Sequence, residues 1–141
     1  DFSLLMMFLA IILFPNFKNV LILGLATGII SGLSTTVPGG FIPNLLDKFF
    51  TAIIFFGLFL LIKNFRSIVS YAVLTAVGTI ISGTIFLISA KLILQFSEAF
   101  LVLFGAIVLP TAALNTIAMI IVYPIVASIA KRSKITVAEI K

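Results

Sequence analysis

Long apolar stretches, separated by short polar breaks, run along the whole chain. Apolar residues dominate 2–14, 18–34, 45–62, 68–94 and 99–130, and the breaks contain proline, glycine, asparagine or basic residues. The stretches are apolar on every side and lack the alternation of polarity found in the strands of membrane barrels. A membrane-crossing helix needs roughly 20 residues, so the pattern predicts an all-α, polytopic transmembrane bundle of about five spans.

The amino-acid composition is that of an integral membrane protein. Hydrophobic residues make up 62% of the 141 residues and charged residues 9%, and the mean hydropathy is +1.40. Soluble domains carry about 25% charged residues. We therefore expect one transmembrane domain over residues 1–141 and no separate soluble domain.

Several classes of chemistry are disfavoured by what the chain lacks. It has no cysteine and no histidine, and only four acidic residues, which excludes thiol catalysis and the usual transition-metal ligands. The net charge of +5 does not indicate nucleic-acid binding, because the basic residues stand at the ends of spans. We expect no catalytic residues, no metal and no cofactor.

The basic residues also predict an orientation. With five spans counted, seven of the nine lysines and arginines fall on the side of the C-terminus. Lysine and arginine are retained on the cytoplasmic side of the plasma membrane, so we predict a cytoplasmic tail at 131–141 and an outer loop at 34–44. The first stretch is short for a span and begins without methionine, so we expect at least one further helix upstream.

The second span carries Gly24, Gly28 and Gly32 at intervals of four residues. This spacing puts them on one helix face, where small residues let another backbone approach closely. The face serves either packing inside the bundle or docking of a partner subunit.

The outer loop has two interpretations. The run from Pro38 through Gly39 and Gly40 breaks the helix, and Asn44 can then cap the third span. The first interpretation is a tight turn before a capped helix. The second is a binding loop over an exterior pocket, in which Phe41 can stack on an aromatic ligand.

Three further polar positions carry paired interpretations. Asp47 and Lys48 are adjacent, so their side chains leave the helix about 100° apart. They are interfacial anchors, or Asp47 binds a ligand ammonium group. Asn115, beside Thr116 in the last span, makes an interhelical hydrogen bond or contacts a ligand, because an amide in hydrocarbon needs a partner.

An ordered series of short motifs extends over nearly the whole chain, from about residue 1 to residue 132. These motifs are Phe14-Pro15, Lys18-Asn19-Val20-Leu21, Thr27-Gly28-Ile29-Ile30-Ser31, Pro38-Gly39-Gly40, Asn44, Asp47-Lys48, Thr79-Ile80-Ile81-Ser82-Gly83, Leu109-Pro110, Leu114-Asn115-Thr116-Ile117 and Tyr123-Pro124-Ile125-Val126. Together they resemble the bacterial tryptophan transporter family (TrpP-type).

The resemblance implies the six-helix fold of the substrate-binding (S) components of energy-coupling-factor transporters. Such components bind a vitamin or similar solute near the outer face and dock on a transmembrane coupling subunit and two ATPases. Members of the resembled family begin with one more helix than this chain. The site residues that the resemblance carries over are Gly39, Gly40, Asn44, Asp47, Lys48, Pro110, Asn115 and Thr116.

The resulting hypothesis is uptake of L-tryptophan by a protein that is not an enzyme. Asp47 pairs with the substrate ammonium group, and backbone amides near the glycine pair, with Lys48, meet the carboxylate. Asn115 and Phe41 hold the indole. Two alternatives remain: uptake of another small solute, such as a vitamin, on the same scaffold, and a non-transporting membrane subunit that anchors partners.

Overall fold

A computed structural model describes residues 2–62, 64–95 and 99–132. Within these ranges the regular structure is entirely helical, as the apolar pattern predicts. The elements are α1 (Phe2–Leu13), α2 (Phe17–Ser34), α3 (Phe41–Leu61), α4 (Ile68–Leu94), α5 (Phe100–Leu103), a π-helical turn (Phe104–Val108) and α6 (Leu109–Arg132). The predicted tail beyond Arg132, together with Asp1, Lys63 and Glu98, lies outside the described residues.

Four helices are long and apolar enough to cross a membrane: α2, α3, α4 and the continuous 33-residue segment Phe100–Arg132. With only 12 described residues, α1 is shorter than the roughly 20 that a crossing requires. Eight of those residues are buried, so α1 fills the space between the longer helices. The described residues thus contain the five predicted helical stretches, four of them of crossing length.

The third span begins earlier than its composition suggests. It starts at Phe41, with Gly40 as the N-cap residue, and not at the predicted position 45. Pro43 is tolerated because the first four N–H groups of a helix have no partner within it. The prediction that Asn44 caps this helix is wrong: Asn44 lies in the first turn, and its Nδ2 donates to the Gly40 carbonyl at 2.8 Å.

The last span is continuous through Pro110. Its first part contains a π-helical turn, in which the Leu109 N–H bonds to the Phe104 carbonyl five residues back. Pro110 follows directly and has no N–H to continue the ladder. The segment is therefore one helix with a local irregularity, and the irregularity is a widened turn.

The glycine face of α2 lies against α3. A Cβ added at Gly24 would stand 3.0 Å from the Ala52 Cβ, and one added at Gly28 would stand 3.0 Å from the Leu45 Cα. A Cβ at Gly32 would meet the Phe41 ring at 2.7 Å. Small residues permit this close approach of the two helices. The contact fixes the position of α3 along the axis of the bundle.

A stacked aromatic pair joins α1, α3 and α4 at the centre. The rings of Phe8 and Phe55 are parallel within 4° with centroids 4.1 Å apart. Gly78 of α4 makes room for them, since an added Cβ would lie 2.8 Å from Phe8 and 2.9 Å from Phe55. This apolar layer closes the bundle beneath the polar cluster described next.

Candidate functional site

A buried carboxylate is the centre of the polar cluster. Asp47 is 1% exposed and lies six residues after the start of α3, roughly 9 Å along the helix. Its Oδ1 accepts hydrogen bonds from Thr51 at 3.0 Å and from Ser82 at 2.5 Å, and its Oδ2 accepts from the Lys48 ammonium at 2.7 Å. Three donors from two helices therefore surround one carboxylate in the interior of the bundle.

Helix α3 presents this cluster along one face. Asp47 and Thr51 are four residues apart and so lie one turn above the other, and Asn44 precedes Asp47 on the same side. Lys48 is 3% exposed, and its long stem curls back to reach Asp47. The interpretation of Lys48 as an interfacial anchor is therefore wrong, because its ammonium lies inside the protein.

Helix α4 supplies the opposing wall through Thr79 and Ser82, three residues apart. The Thr79 hydroxyl donates to the Thr75 carbonyl at 2.8 Å and accepts from the Asn115 amide at 3.2 Å. The Asn115 amide is 4% exposed and thus ties α6 to α4. The interhelical hydrogen bond proposed for Asn115 is present.

A cavity of about 160 Å³ opens beside these groups. Its wall combines residues from α1, α3, α4, the π-helical turn and α6. The lining residues are Leu4, Asp47, Lys48, Thr79, Ser82, Gly83, Ile107, Val108 and Thr111. The cavity thus has a charged end on α3 and an apolar end on the π-helical turn, as an amphipathic solute requires.

Apart from Pro110, which follows the π-helical turn, the predicted site residues separate into two groups. Asp47 and Lys48 line the cavity, and Asn115 and Asn44 bond within the same region of the bundle. Four residues lie elsewhere, each for a local reason. Gly39 has a φ of +73° and contacts Leu94, and Gly40 is the N-cap residue of α3. Phe41 covers Gly32, and Thr116 lines an apolar groove between α4 and α6.

Sequence reasoning missed Thr51, Ser82 and Thr111 as site residues. Thr79 and Ser82 entered the sequence analysis only as parts of a family motif. The spacing of four between Asp47 and Thr51, and of three between Thr79 and Ser82, is the signal that could have found them. The pairing of Asp47 with Ser82 joins residues 35 positions apart, which no local pattern reveals.

Metal binding has no support in the part of the chain that the structure describes. There, no three acidic, histidine or cysteine side chains come together in a way that could hold an ion. The charged groups of the cavity are one carboxylate and one ammonium. This arrangement suits a ligand that carries both signs of charge.

Comparison with known proteins places the chain in a family. The family model described as "Tryptophan transporter TrpP" matches residues 1–131. A "Probable tryptophan transport protein" of Bacillus subtilis is 54% identical over 133 residues, covering 94% of this chain and 77% of that protein. A protein of the same description from Clostridium perfringens is 37% identical over 145 residues, covering 96% of this chain and 80% of the relative.

No solved structure matches the chain. The family match covers nearly all of the described helices, including every residue of the cavity wall. The ordered motifs found along the sequence and the all-helical architecture agree with it. The protein belongs to the TrpP family of tryptophan transporters.

Proposed function

We propose that this protein takes up L-tryptophan across the plasma membrane and binds it in the cavity beside Asp47. The observation that carries the proposal is the buried carboxylate with its three donors, because an ionised group at membrane depth is costly and usually serves a solute pathway. Family membership supplies the substrate, since the relatives are described as tryptophan transport proteins. The proposed role is transport without catalysis.

The charged end of the cavity binds the backbone of the amino acid. Asp47 accepts the substrate ammonium group, and Lys48 lies within reach of the carboxylate. A carboxylate offers about four acceptor positions, and Thr51, Ser82 and Lys48 occupy three of them. Thr51 and Ser82 hold Oδ1 in place, so the exchangeable position is on Oδ2.

The apolar end receives the indole. Leu4, Ile107 and Val108 supply the packing surface. The Thr111 hydroxyl donates to the Ile107 carbonyl at 2.7 Å, which leaves its oxygen able to accept from the indole N–H. Thr111 thus takes the role that sequence analysis gave to Asn115, because Asn115 lies behind Thr79 and off the cavity wall.

The cavity must widen for this ligand. Sites for ligands of drug-like size occupy about 300–1,000 Å³, and the cavity measures about 160 Å³. Helices α3 and α4 are held by the Asp47 network, so the wall that moves is the one carrying Ile107 and Val108. That wall is a π-helical turn, a local irregularity common at functional sites.

The helix ends support the predicted orientation. Lys18, Arg66 and Arg132 belong to one end of the bundle, and the loops that follow α2 and α4 belong to the other. The loop that follows α2 lies against the end of α4, since a Cβ at Gly39 would lie 2.7 Å from Leu94. The basic end is proposed to be cytoplasmic, which gives the cavity an approach from outside and places the C-terminus inside.

The proposed function includes a substrate-binding role within a larger assembly. The resemblance to S components suggests a transmembrane coupling subunit and two ATPases as partners. Purification of the full chain from its native membrane, with analysis of what accompanies it, tests this role. Recovery of the chain alone, with full uptake in vesicles that contain no other protein, would contradict the assembly.

Ligand binding is tested with purified protein in lipid nanodiscs. L-tryptophan is expected to raise the unfolding temperature and the other proteinogenic amino acids to raise it less. Asp47→Asn is expected to weaken tryptophan binding by about 30-fold or more, because truncating one member of a buried charge pair costs 2–5 kcal/mol or more. Unchanged tryptophan affinity in Asp47→Asn would mean that Asp47 does not bind the substrate ammonium group.

A matched pair of threonines tests the indole end. Thr111 and Thr116 both donate to the carbonyl four residues back, and only Thr111 lines the cavity. Thr111→Ala is expected to weaken tryptophan binding about tenfold, by the worth of one buried hydrogen bond, and Thr116→Ala to leave it unchanged. Equal effects of the two substitutions on tryptophan binding would contradict the contact between the indole and Thr111.

A further inference from the structure

The ammonium group of Lys48 lies where a ligand ammonium would lie. It donates to the Asp47 Oδ2 at 2.7 Å, on the open side of a carboxylate whose other oxygen is held by Thr51 and Ser82. Both Asp47 and Lys48 line the cavity. Any second ammonium group that approaches Oδ2 from the cavity therefore meets Lys48 first.

Packing alone does not account for this lysine. Side chains of adjacent helical residues diverge by about 100°, so the Lys48 stem must fold back to make the contact. Lysine is strongly hydrated and its four-carbon stem is flexible, and a buried ion pair is often no more stabilising than apolar residues of the same volume. A cation on a long, flexible stem is better suited to changing partners than to bracing a helix.

Charge balance indicates what Lys48 can exchange for. Asp47 and Lys48 contribute one negative and one positive charge to the cavity wall, so the pair is neutral as a unit. An amino-acid zwitterion is also neutral, and its two charges can meet Asp47 and Lys48 at once. A ligand with only an ammonium or only a carboxylate leaves one buried charge without a counter-charge, which is unfavourable at low dielectric constant.

We propose that Lys48 occupies the ammonium position on Asp47 in the ligand-free protein and that an amino-acid zwitterion binds by exchange of ion pairs. The substrate ammonium takes the Oδ2 of Asp47, and Lys48 turns to the substrate carboxylate. This inference rests on the proposed site for tryptophan. In this exchange Lys48 makes binding depend on a free α-carboxylate. Asp47 and Lys48 together select zwitterions over ligands with a single charge.

Three ligands separate the charges. L-tryptophan carries both, tryptamine lacks the carboxylate, and indole-3-propionic acid lacks the ammonium group. With the full chain in nanodiscs, the wild-type protein is expected to bind each single-charge analogue at least about 30-fold more weakly than tryptophan. Wild-type affinities within threefold of one another would overturn the exchange while leaving a tryptophan site in place, and no binding of any ligand would overturn the proposed function itself.

Lys48→Met tests the exchange directly, because methionine keeps the length of the stem and removes the charge. The preference for tryptophan over tryptamine is expected to fall from at least about 30-fold to threefold or less, since a cation then neutralises Asp47 by itself. If Lys48 only braces Asp47, both affinities fall by the same factor and the preference stays. Lys91→Met, at an exposed position near the end of α4, is the control and should change neither.

A neutral double variant covers the case in which Lys48→Met does not fold. Asp47→Asn combined with Lys48→Met leaves no charge on the cavity wall, so the folding cost of a lone buried charge is removed. This variant is expected to bind the three ligands within about threefold of one another. A double variant that still prefers tryptophan by the wild-type factor would refute the exchange.

Discussion

The contact between α2 and α3 yields a stability prediction whose size follows from the structure. Replacing Gly28 with alanine adds one methyl group against a neighbouring backbone. That Cβ would lie 3.0 Å from the Leu45 Cα and 3.2 Å from the Leu45 carbonyl oxygen. Neither atom can move by a rotamer change, so the two helices must separate by a few tenths of an ångström.

Two effects of opposite sign set the magnitude. Alanine is favoured over glycine inside a helix by about 1 kcal/mol. Overpacking a well-filled contact costs about 1–3 kcal/mol. Gly57 provides the reference, because it lies within α3 and a Cβ there meets nothing within 4 Å. Gly57→Ala gains the propensity term alone, so the difference between the two variants, about 1–3 kcal/mol, isolates the steric cost.

The assay is reversible unfolding of each variant in mixed detergent micelles, followed by circular dichroism. Gly28→Ala is expected to be less stable than Gly57→Ala by that difference. Equal stabilities would mean that α2 and α3 are not in backbone contact at Gly28. The position of Asp47 along the axis of the bundle, which depends on that contact, would then lose its support.

Two further predictions concern the cavity wall. In Gly83→Ala, the added Cβ would lie 2.6 Å from both methyl groups of Val108 and push the π-helical wall outward. We expect the free energy of unfolding to fall by about 1–3 kcal/mol. We also expect tryptophan to raise the unfolding temperature more than it does in wild type. Gly105→Ala, where a Cβ meets nothing within 4 Å, should do neither, and an unchanged tryptophan response in Gly83→Ala would contradict the moving wall. Asn115→Ala removes a buried donor to Thr79 and should lower the free energy of unfolding by about 1–3 kcal/mol. Tryptophan affinity, measured by titration, should change less than threefold. A tenfold loss of affinity would mean that Asn115 contacts the ligand.

The sequence predicted the helices because hydrophobic length is a local property that a membrane enforces. It placed the start of α3 too late because Pro43 and Asn44 look like loop residues, whereas a proline in a first turn costs little. The face formed by Gly24, Gly28 and Gly32 was recognisable, but its partner was not. Spacing shows which residues share a face and cannot show which helix meets it.

The site was predicted least well where it depends on contacts between helices. Asp47 stood out because an acid within an apolar span needs a partner. Its partner Ser82 did not, because the hydroxyl of a serine in a membrane helix can bond to the backbone of its own helix and then needs no partner on another helix. The loop residues Gly39 and Gly40 drew attention through their backbone freedom, which the structure uses for a turn against Leu94.

The π-helical turn divides the last span into a short segment before it and the long helix α6 after it. A π turn holds one residue more than an α-helical turn, so the backbone at Phe104–Val108 is wider than in the helix on either side. The downstream half is clamped to α4 through Asn115 and Thr79. Because this bond lies beyond the turn, a displacement of Ile107 and Val108 at the cavity wall would leave the connection between α6 and α4 intact.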